Sequence, residues 1–232
     1  MIRSRFAALL FRCGSFILIF AGLAVETNLF GGGLNPNIFF YYTIQSNLLA
    51  LVLFAMLIFR TAKGWALDGV RGKTGYFARF EMVCAIDLLL TLAVFWALLA
   101  PSITSSNSRF SLWSFANLSV HLIAPLLCLI DYILFSEARH LKYSDIYAVL
   151  IFPLAYLAFS SLAGLMGHAY GVSAVDGNPV RFPYFFLDFD RTGAMPLVYI
   201  GALTVFFLII AHVFYIIDNK LRRVEISVKK NI

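Results

Sequence analysis

Thr43 and His121, two residues within long apolar stretches, have side chains suited to covalent catalysis. A hydroxyl becomes a nucleophile only when a base accepts its proton, and histidine is the usual base because it titrates near neutral pH. If the apolar stretches cross a membrane, each polar side chain within them is costly unless it has a partner. The pair therefore indicates acyl transfer on a lipid ester, with Thr43 as the nucleophile and His121 as the base.

Four more polar residues are expected at about the depth of this pair and form an outer polar layer with it: Ser46, Asn47, Thr91 and Asn117. The spacing of Thr43, Ser46 and Asn47 places them on one helix face, and Asn117 shares a face with His121. Amide side chains can donate hydrogen bonds to a developing oxyanion, so Gln45, Asn47 and Asn117 are candidates for that role.

A non-catalytic alternative stays open for the same residues. Threonines in membrane helices often bond to their own backbone or pack between helices. A lipid-binding or scaffolding membrane protein would use the outer layer only to hold its helices together.

A second, inner polar layer is expected nearer the opposite surface and contains Asp87, Asp131 and His212. At 1.5 Å per residue, Asp87 lies ~20 Å from the outer end of its span and Asp131 almost at the inner surface. Asp131 and His212 are interpreted as an interfacial pair. Because membrane carboxylates commonly mark ion paths, a proton-linked carrier is a further alternative.

The cysteines and histidines give little indication of a metal or cofactor. Cys13, Cys84 and Cys128 lie in apolar stretches without a CxxC pair, which argues against disulfides and a structural zinc site. A haem protein with His121 and either His168 or His212 as axial ligands is a cofactor-dependent alternative. The hydrolase interpretation requires neither a metal nor a cofactor.

The composition supports a membrane environment for these residues. Of the 232 residues, 61% are hydrophobic and 13% are charged, against roughly 45–50% and about 25% in soluble domains. The high hydrophobic fraction excludes intrinsic disorder, and the scarcity of charged residues argues against a water-soluble fold. The net charge is +6, but the basic residues flank apolar runs, so membrane lipids and not nucleic acids are the expected partners.

Six apolar runs predict an all-α integral membrane protein with one domain over residues 1–232, a bundle of six transmembrane helices. Each run is near the ~20 residues that cross ~30 Å of hydrocarbon. The expected spans are about 6–25, 38–59, 80–100, 112–135, 146–166 and 193–217. Pro101 is expected to stop the third span and Pro153 to kink the fifth.

The basic residues set the orientation of the bundle. Fifteen of the 18 Lys and Arg residues belong to the N-terminal segment, the loops after spans two and four, and the C-terminal tail. Arg109, Arg181 and Arg191 lie on the opposite side. Because positive residues collect on the cytoplasmic side, both termini are predicted to be cytoplasmic. Arg12, inside the first span, is expected to snorkel to that surface.

Three segments, in order along the chain, resemble segments of the six-pass androgen-induced-protein-like membrane family, including its bacterial branch. They are YYTIQSNLLA at 41–50, NLSVHLIAP at 117–125 followed by Asp131, and RFPYFFLD at 181–188. The resemblance implies a six-pass fold, in the inner or plasma membrane if the protein is bacterial.

The resemblance also implies an activity. Animal members of that family hydrolyse fatty acid esters of hydroxy fatty acids with an intramembrane threonine nucleophile and a histidine base, which correspond to Thr43 and His121 here. Leu118 stands where animal members often have another histidine, so this chain departs from the animal pattern.

The substrate is expected to enter from the outer leaflet, between spans two and four. The longest outer loop, about 167–192, contains an aromatic patch around Phe182 and Tyr184. Such aromatics usually form an interfacial belt. A lid over a membrane cavity is the alternative.

Overall fold

The protein is an all-α bundle with six helices that are long and apolar enough to cross a membrane. The computed structural model describes residues 2–105, 111–136, 141–173 and 176–230, with backbone only for 104–105 and 220–230. The helices are α1 Arg5–Glu26, α2 Tyr42–Asp68, α3 Ala78–Ile103, α4 Phe115–Phe135, α5 Tyr143–Leu165 and α6 Met195–Lys230. The predicted six-helix membrane fold is confirmed.

The third helix is the centre of the bundle. It packs against α2, α4, the inner half of α5, and α6, while α1 packs against α2 and α4. In α3, half of the apolar stretch that could cross a membrane is buried within the protein. In α6, only 17% of the corresponding stretch is buried. The sixth helix therefore turns most of its surface toward lipid.

The helix boundaries differ from the predicted spans at both ends of α2. Pro36–Phe40 forms a separate 3-10 turn, with Asn35 as its cap, so α2 begins at Tyr42 and continues to Asp68. Two of the basic residues that set the orientation, Arg109 and Arg139, lie outside the described residues.

Three spans contain a proline directly after a turn that is not α-helical. Pro101 follows the π-helical turn Phe95–Leu99, and Pro125 follows the π-helical turn Ser119–Ile123. Pro153 is the third residue of the α-helical part of α5, which begins at Ile151 after a 3-10 segment ends at Leu150. Proline has no N–H and crowds the preceding turn, so it is tolerated where a new α-helical segment starts. For this reason α3 continues past Pro101, which the sequence predicted as its end.

Arg12 does not snorkel to the inner surface, which corrects the prediction. Its side chain is completely buried, and it donates to both carboxylate oxygens of Asp131, at 2.8 and 3.1 Å. It also donates to the Thr61 hydroxyl at 2.6 Å and the Thr74 carbonyl at 2.8 Å. A buried guanidinium is tolerated when it is paired and hydrogen-bonded. Arg12 therefore connects α1, α2, α4 and the loop after α2.

Candidate active site at the outer end of the bundle

The structure brings Thr43 and His121 together from two helices. Thr43 is the second residue of α2, and His121 lies in the outer third of α4 in the π-helical turn Ser119–Ile123. The Thr43 Oγ1 and His121 Nε2 atoms are 3.3 Å apart. This is slightly longer than a strong hydrogen bond but within the range that unliganded catalytic pairs show.

The other ring nitrogen of His121 determines which tautomer is present. Nδ1 lies 3.2 Å from the carbonyl oxygen of Asn117, one turn earlier in the same helix. A carbonyl only accepts hydrogen bonds, so Nδ1 carries the proton and the Nε2 lone pair is directed at the Thr43 hydroxyl. The imidazole is thus oriented as a proton acceptor for Thr43.

Phe95, which the sequence did not single out, supports the imidazole from the other side. Its ring stacks on His121 with a centroid separation of 3.7 Å and an interplanar angle of 22°. Phe95 and His121 both lie in π-helical turns, in α3 and α4. Such turns change the direction of the side chains they carry and are frequent at functional sites. Among 24 phenylalanines, no spacing in the sequence distinguishes Phe95.

The amides predicted to bind an oxyanion hold backbone carbonyls instead. Asn47 donates to the carbonyls of Thr43 and Val120, at 2.8 and 3.1 Å. Asn117 donates to the Leu112 carbonyl at 2.7 Å, and Gln45 to the Phe39 carbonyl at 3.0 Å. Both donor hydrogens of Asn47 are used in this way, because a terminal amide has only two. Asn47 thereby links α2 to α4 and has no amide hydrogen left for an oxyanion, whereas Asn117 and Gln45 each make one bond to a backbone carbonyl.

Ser46 and Thr91 connect α2 with α3 beneath the candidate pair. Their hydroxyl oxygens are 3.1 Å apart, and Thr91 Oγ1 donates to the Asp87 carbonyl at 3.2 Å. Both side chains are buried. They fix the separation of the two helices and do not contact the imidazole through any described hydrogen bond.

Asp87, predicted in the inner layer, contacts the first turn of α2 through Tyr42. The Tyr42 hydroxyl donates to Asp87 Oδ1 at 3.3 Å, because the tyrosine side chain points down into the bundle from the first turn of α2. Asp87 is completely buried, and its Oδ2 has no hydrogen-bond partner among the described residues.

Asp131 and His212 do not form the expected pair. Asp131 binds Arg12, whereas His212 Nε2 lies 3.2 Å from the Tyr143 hydroxyl and Nδ1 2.6 Å from the Leu208 carbonyl. No described hydrogen bond links Asp87, Asp131 and His212 into one path. Both ring nitrogens of His121 and of His212 are already bonded within the protein, and the described residues contain no group of three metal-binding side chains.

A cavity of about 100 Å³ opens beside Thr43. Apolar side chains of α3, α5 and α6 form most of its wall, and Thr43 contributes to the wall from α2. The inner half of α5, Tyr143–Leu150, packs closely on α6. The outer half has no extensive backbone contact with α6 over the described residues, although Leu154 in this half lines the cavity and is 51% exposed. The residues that line the cavity include several of α5 and α6 and none of α4, whereas the sequence predicted entry between the second and fourth spans.

The outer loop closes the cavity from above, as expected for a lid and not only for an interfacial belt. Tyr184, Phe186 and Leu187 line the cavity. Antiparallel strands β1 Gly171–Val172 and β2 Pro179–Val180 form the base of the loop. The loop then crosses Gly164 so closely that a Cβ there would overlap with the Arg181 carbonyl.

Ion pairs stabilise this loop on its water-facing side. Arg181 donates to both carboxylate oxygens of Asp190, at 2.8 and 2.5 Å, and Arg191 donates to Asp188 at 2.6 Å. The Arg181 guanidinium holds the pKa of Asp190 below its usual value, so this carboxylate stays charged in mildly acidic water. The loop is therefore held in place without a ligand.

Comparisons with protein-family models, with curated proteins and with solved structures find no match to this chain.

Proposed function

We propose that the protein is a membrane-embedded lipid ester hydrolase that uses Thr43 as its nucleophile and His121 as its general base. The observation that carries the proposal is the 3.3 Å approach of Thr43 Oγ1 to His121 Nε2, with Nδ1 fixed by the Asn117 carbonyl. A threonine that served only its own helix would direct its hydroxyl at a backbone carbonyl, as Thr27, Thr61 and Thr204 do.

The reaction would proceed through an acyl-enzyme. His121 Nε2 accepts the Thr43 proton while Oγ1 forms a bond to the ester carbonyl carbon, and the carbonyl electron pair moves to oxygen. When the intermediate collapses, the ester C–O bond breaks and His121 returns the proton to the leaving alcohol. Water then attacks the acyl-threonine with His121 again as the base, which releases the carboxylic acid and restores the Thr43 hydroxyl.

The cavity fits an acyl chain that reaches Thr43 from the outer leaflet. At 10–15 Å³ for each water-sized group, it has room for roughly seven to ten such groups, a chain segment and not a whole diacyl lipid. The resemblance to the androgen-induced-protein-like family favours fatty acid esters of hydroxy fatty acids or similar single-chain esters. The natural substrate of this chain is proposed to belong to that class.

A non-catalytic lipid-binding protein is the second candidate. The buried bonds of Ser46 with Thr91 and of Asn47 with Val120 favour it, because they hold three helices together without chemistry. A carrier that uses Asp87, Asp131 and His212 has less support, since these residues have separate partners.

Covalent labelling of the purified protein with a fluorophosphonate probe distinguishes the two candidates. Wild type should be labelled and should hydrolyse a single-chain lipid ester, whereas Thr43→Ala should do neither. Thr27→Ala is the matched control, because Thr27 is also buried at the outer end but donates only to the Leu23 carbonyl. Equal labelling of wild type and Thr43→Ala, or no hydrolysis by wild type, would reject the hydrolase.

A further inference from the structure

Tyr184 brings a phenol from the outer loop to the first turn of α2. Its hydroxyl oxygen accepts the backbone N–H of Tyr42 at 3.1 Å and also faces the Thr43 side chain. Tyr184 and Thr43 line the same cavity. A carbonyl group bound for attack by Thr43 would therefore lie within reach of this phenol.

The neighbouring aromatic rings fix the position of Tyr184. Its ring is parallel to that of Phe186, with an interplanar angle of 1° and a centroid separation of 5.2 Å. The Tyr41 ring contacts the Tyr184 ring edge-on, with a centroid separation of 6.1 Å. A donor that is held in place before the reaction stabilises developing charge without a cost of reorganisation.

The other polar side chains of the cavity wall already donate their hydroxyl protons to acceptors within the protein. Tyr42 donates to Asp87 Oδ1, Thr91 to the Asp87 carbonyl, Tyr156 to the Phe40 carbonyl and Thr204 to the Ile200 carbonyl. In the part of the chain that the structure describes, no carbonyl or carboxylate accepts the proton of Tyr184. Its oxygen accepts the Tyr42 N–H, and its O–H faces only the neutral hydroxyls of Thr43 and Tyr156, which are weaker acceptors than an oxyanion.

We propose that the Tyr184 hydroxyl donates a hydrogen bond to the oxyanion formed when Thr43 attacks an ester carbonyl. This inference rests on the proposed hydrolase function. It gives the outer loop a direct part in the reaction, because the loop that closes the cavity also brings the donor.

The protonation state of the phenol suits this role. Burial raises the pKa of the Tyr184 phenol to about 12, above the usual value for tyrosine, so the hydroxyl keeps its proton at physiological pH. Folding that favours the protonated phenol contributes stability below the ordinary tyrosine pKa, and that contribution is lost as pH rises through the raised value.

The test compares Tyr184→Phe with wild type in detergent micelles, using kcat, KM and the affinity for two inhibitors. One inhibitor is a long-chain trifluoromethyl ketone, which forms an oxyanion when Thr43 adds to it, and the other is the matching ether, which cannot. Removing an oxyanion donor typically lowers kcat by about 10²–10³-fold. We expect that loss with little change in KM, a similar loss of ketone affinity, and unchanged ether affinity.

Tyr41→Phe is the matched control, because it removes a phenol from the same aromatic cluster but Tyr41 does not line the cavity. A Tyr184→Phe enzyme with wild-type kcat would overturn the inference. An equal loss of ketone and ether affinity would also overturn it, because it would indicate that the Tyr184 hydroxyl only caps α2. If wild type is active and Thr43→Ala is inactive, these outcomes reject the donor role of Tyr184 and leave the proposed hydrolase function standing. If wild type hydrolyses no ester, the proposed function fails and the inference fails with it.

A second variant keeps the phenol and so avoids a folding defect. Fluorinated tyrosine at position 184 has a more acidic hydroxyl, so the alkaline loss of kcat should move to lower pH than in wild type. An unchanged pH profile would contradict the donor role, since a residue that merely caps a helix would not shift it.

Discussion

At the scale of single residues, the two buried polar clusters of the bundle have opposite electrostatic characters. The outer one is centred on the neutral Thr43 hydroxyl and the His121 imidazole, where a lone pair and a hydroxyl proton face each other. The inner one, around Arg12 and Asp131, is an ion pair with its guanidinium donors satisfied. A neutral, incompletely bonded site can change partners during a reaction, whereas a fully bonded ion pair is a fixed connection.

The inner ion pair gives a prediction about stability. Arg12→Met leaves the Asp131 carboxylate buried and unpaired, which should lower the free energy of unfolding by about 3–5 kcal/mol. The double variant Arg12→Met/Asp131→Leu should recover most of that loss, because replacing a whole buried pair by apolar groups is often neutral. Denaturant unfolding in micelles measures both.

Arg79→Met is the control for this prediction, because the Arg79–Asp145 pair is 3.5 Å long and the Arg79 side chain is 60% exposed. It should cost less than about 1 kcal/mol. Equal losses for Arg12→Met and Arg79→Met would show that Arg12 does not connect the helices.

At the scale of the helices, the π-helical turn that carries His121 depends on how closely α1 approaches α4. Gly22 of α1 lies against Ser119, the first residue of that turn, and a Cβ at position 22 would overlap with the Ser119 side chain. The absence of a side chain on α1 is therefore part of what sets the position of the imidazole.

Gly22→Ala tests this contact. The added methyl should displace the turn and His121 with it, and a misplacement of about 1 Å can cost 10²-fold in rate. We expect kcat for ester hydrolysis to fall by about 10- to 100-fold, while the protein still folds. The measurement is kcat together with thermal unfolding.

Gly14→Ala is the matched control in the same helix, since a Cβ there meets nothing within 4 Å. It should leave kcat unchanged and stabilise the helix by about 0.5–1 kcal/mol. An active Gly22→Ala enzyme would contradict the close-approach argument.

The sequence predicts the helices well because a continuous apolar run of about 20 residues has few alternatives in a membrane. It also identifies Thr43 and His121, since polar groups in such runs are costly and therefore informative. It misses Phe95 and identifies Tyr184 only as part of an aromatic patch, because one ring among many carries no further signal until the fold places it beside a polar atom. It misjudges Arg12, whose partner Asp131 is 119 residues away.

At the scale of the whole molecule, the cavity beside Thr43 reaches the side of the bundle that α5 and α6 form. Leu154 stands on this side, half-exposed to lipid and also part of the cavity wall. A substrate that enters here would slide its chain between the two helices with its ester near Thr43. The route can be blocked without touching the polar residues.

Leu154→Trp should obstruct this route. If the ring displaces two or three methylenes of the bound chain, at about 0.8 kcal/mol each, the loss is about 2 kcal/mol, or roughly 30-fold in kcat/KM. A short, water-soluble ester should be affected much less. The measurement is hydrolysis of a long-chain and a short-chain ester by the same preparation.

Leu162→Trp provides the comparison, because Leu162 is exposed on the same helix but does not line the cavity. Its kcat/KM should match wild type for both esters. Parallel losses in the two variants, or none in Leu154→Trp, would place the entrance elsewhere.

The position of Thr43 in the first turn of α2 has a consequence for the supply of water. In the proposed hydrolase, a nucleophile at the end of a helix stands near the level where lipid headgroups begin, and the substrate would bring its ester bond to that level. The substrate then need not drag its polar linkage into the hydrocarbon interior. The hydrolytic water can arrive from the hydrated boundary, and the charged acid that is released has only a short path back to it.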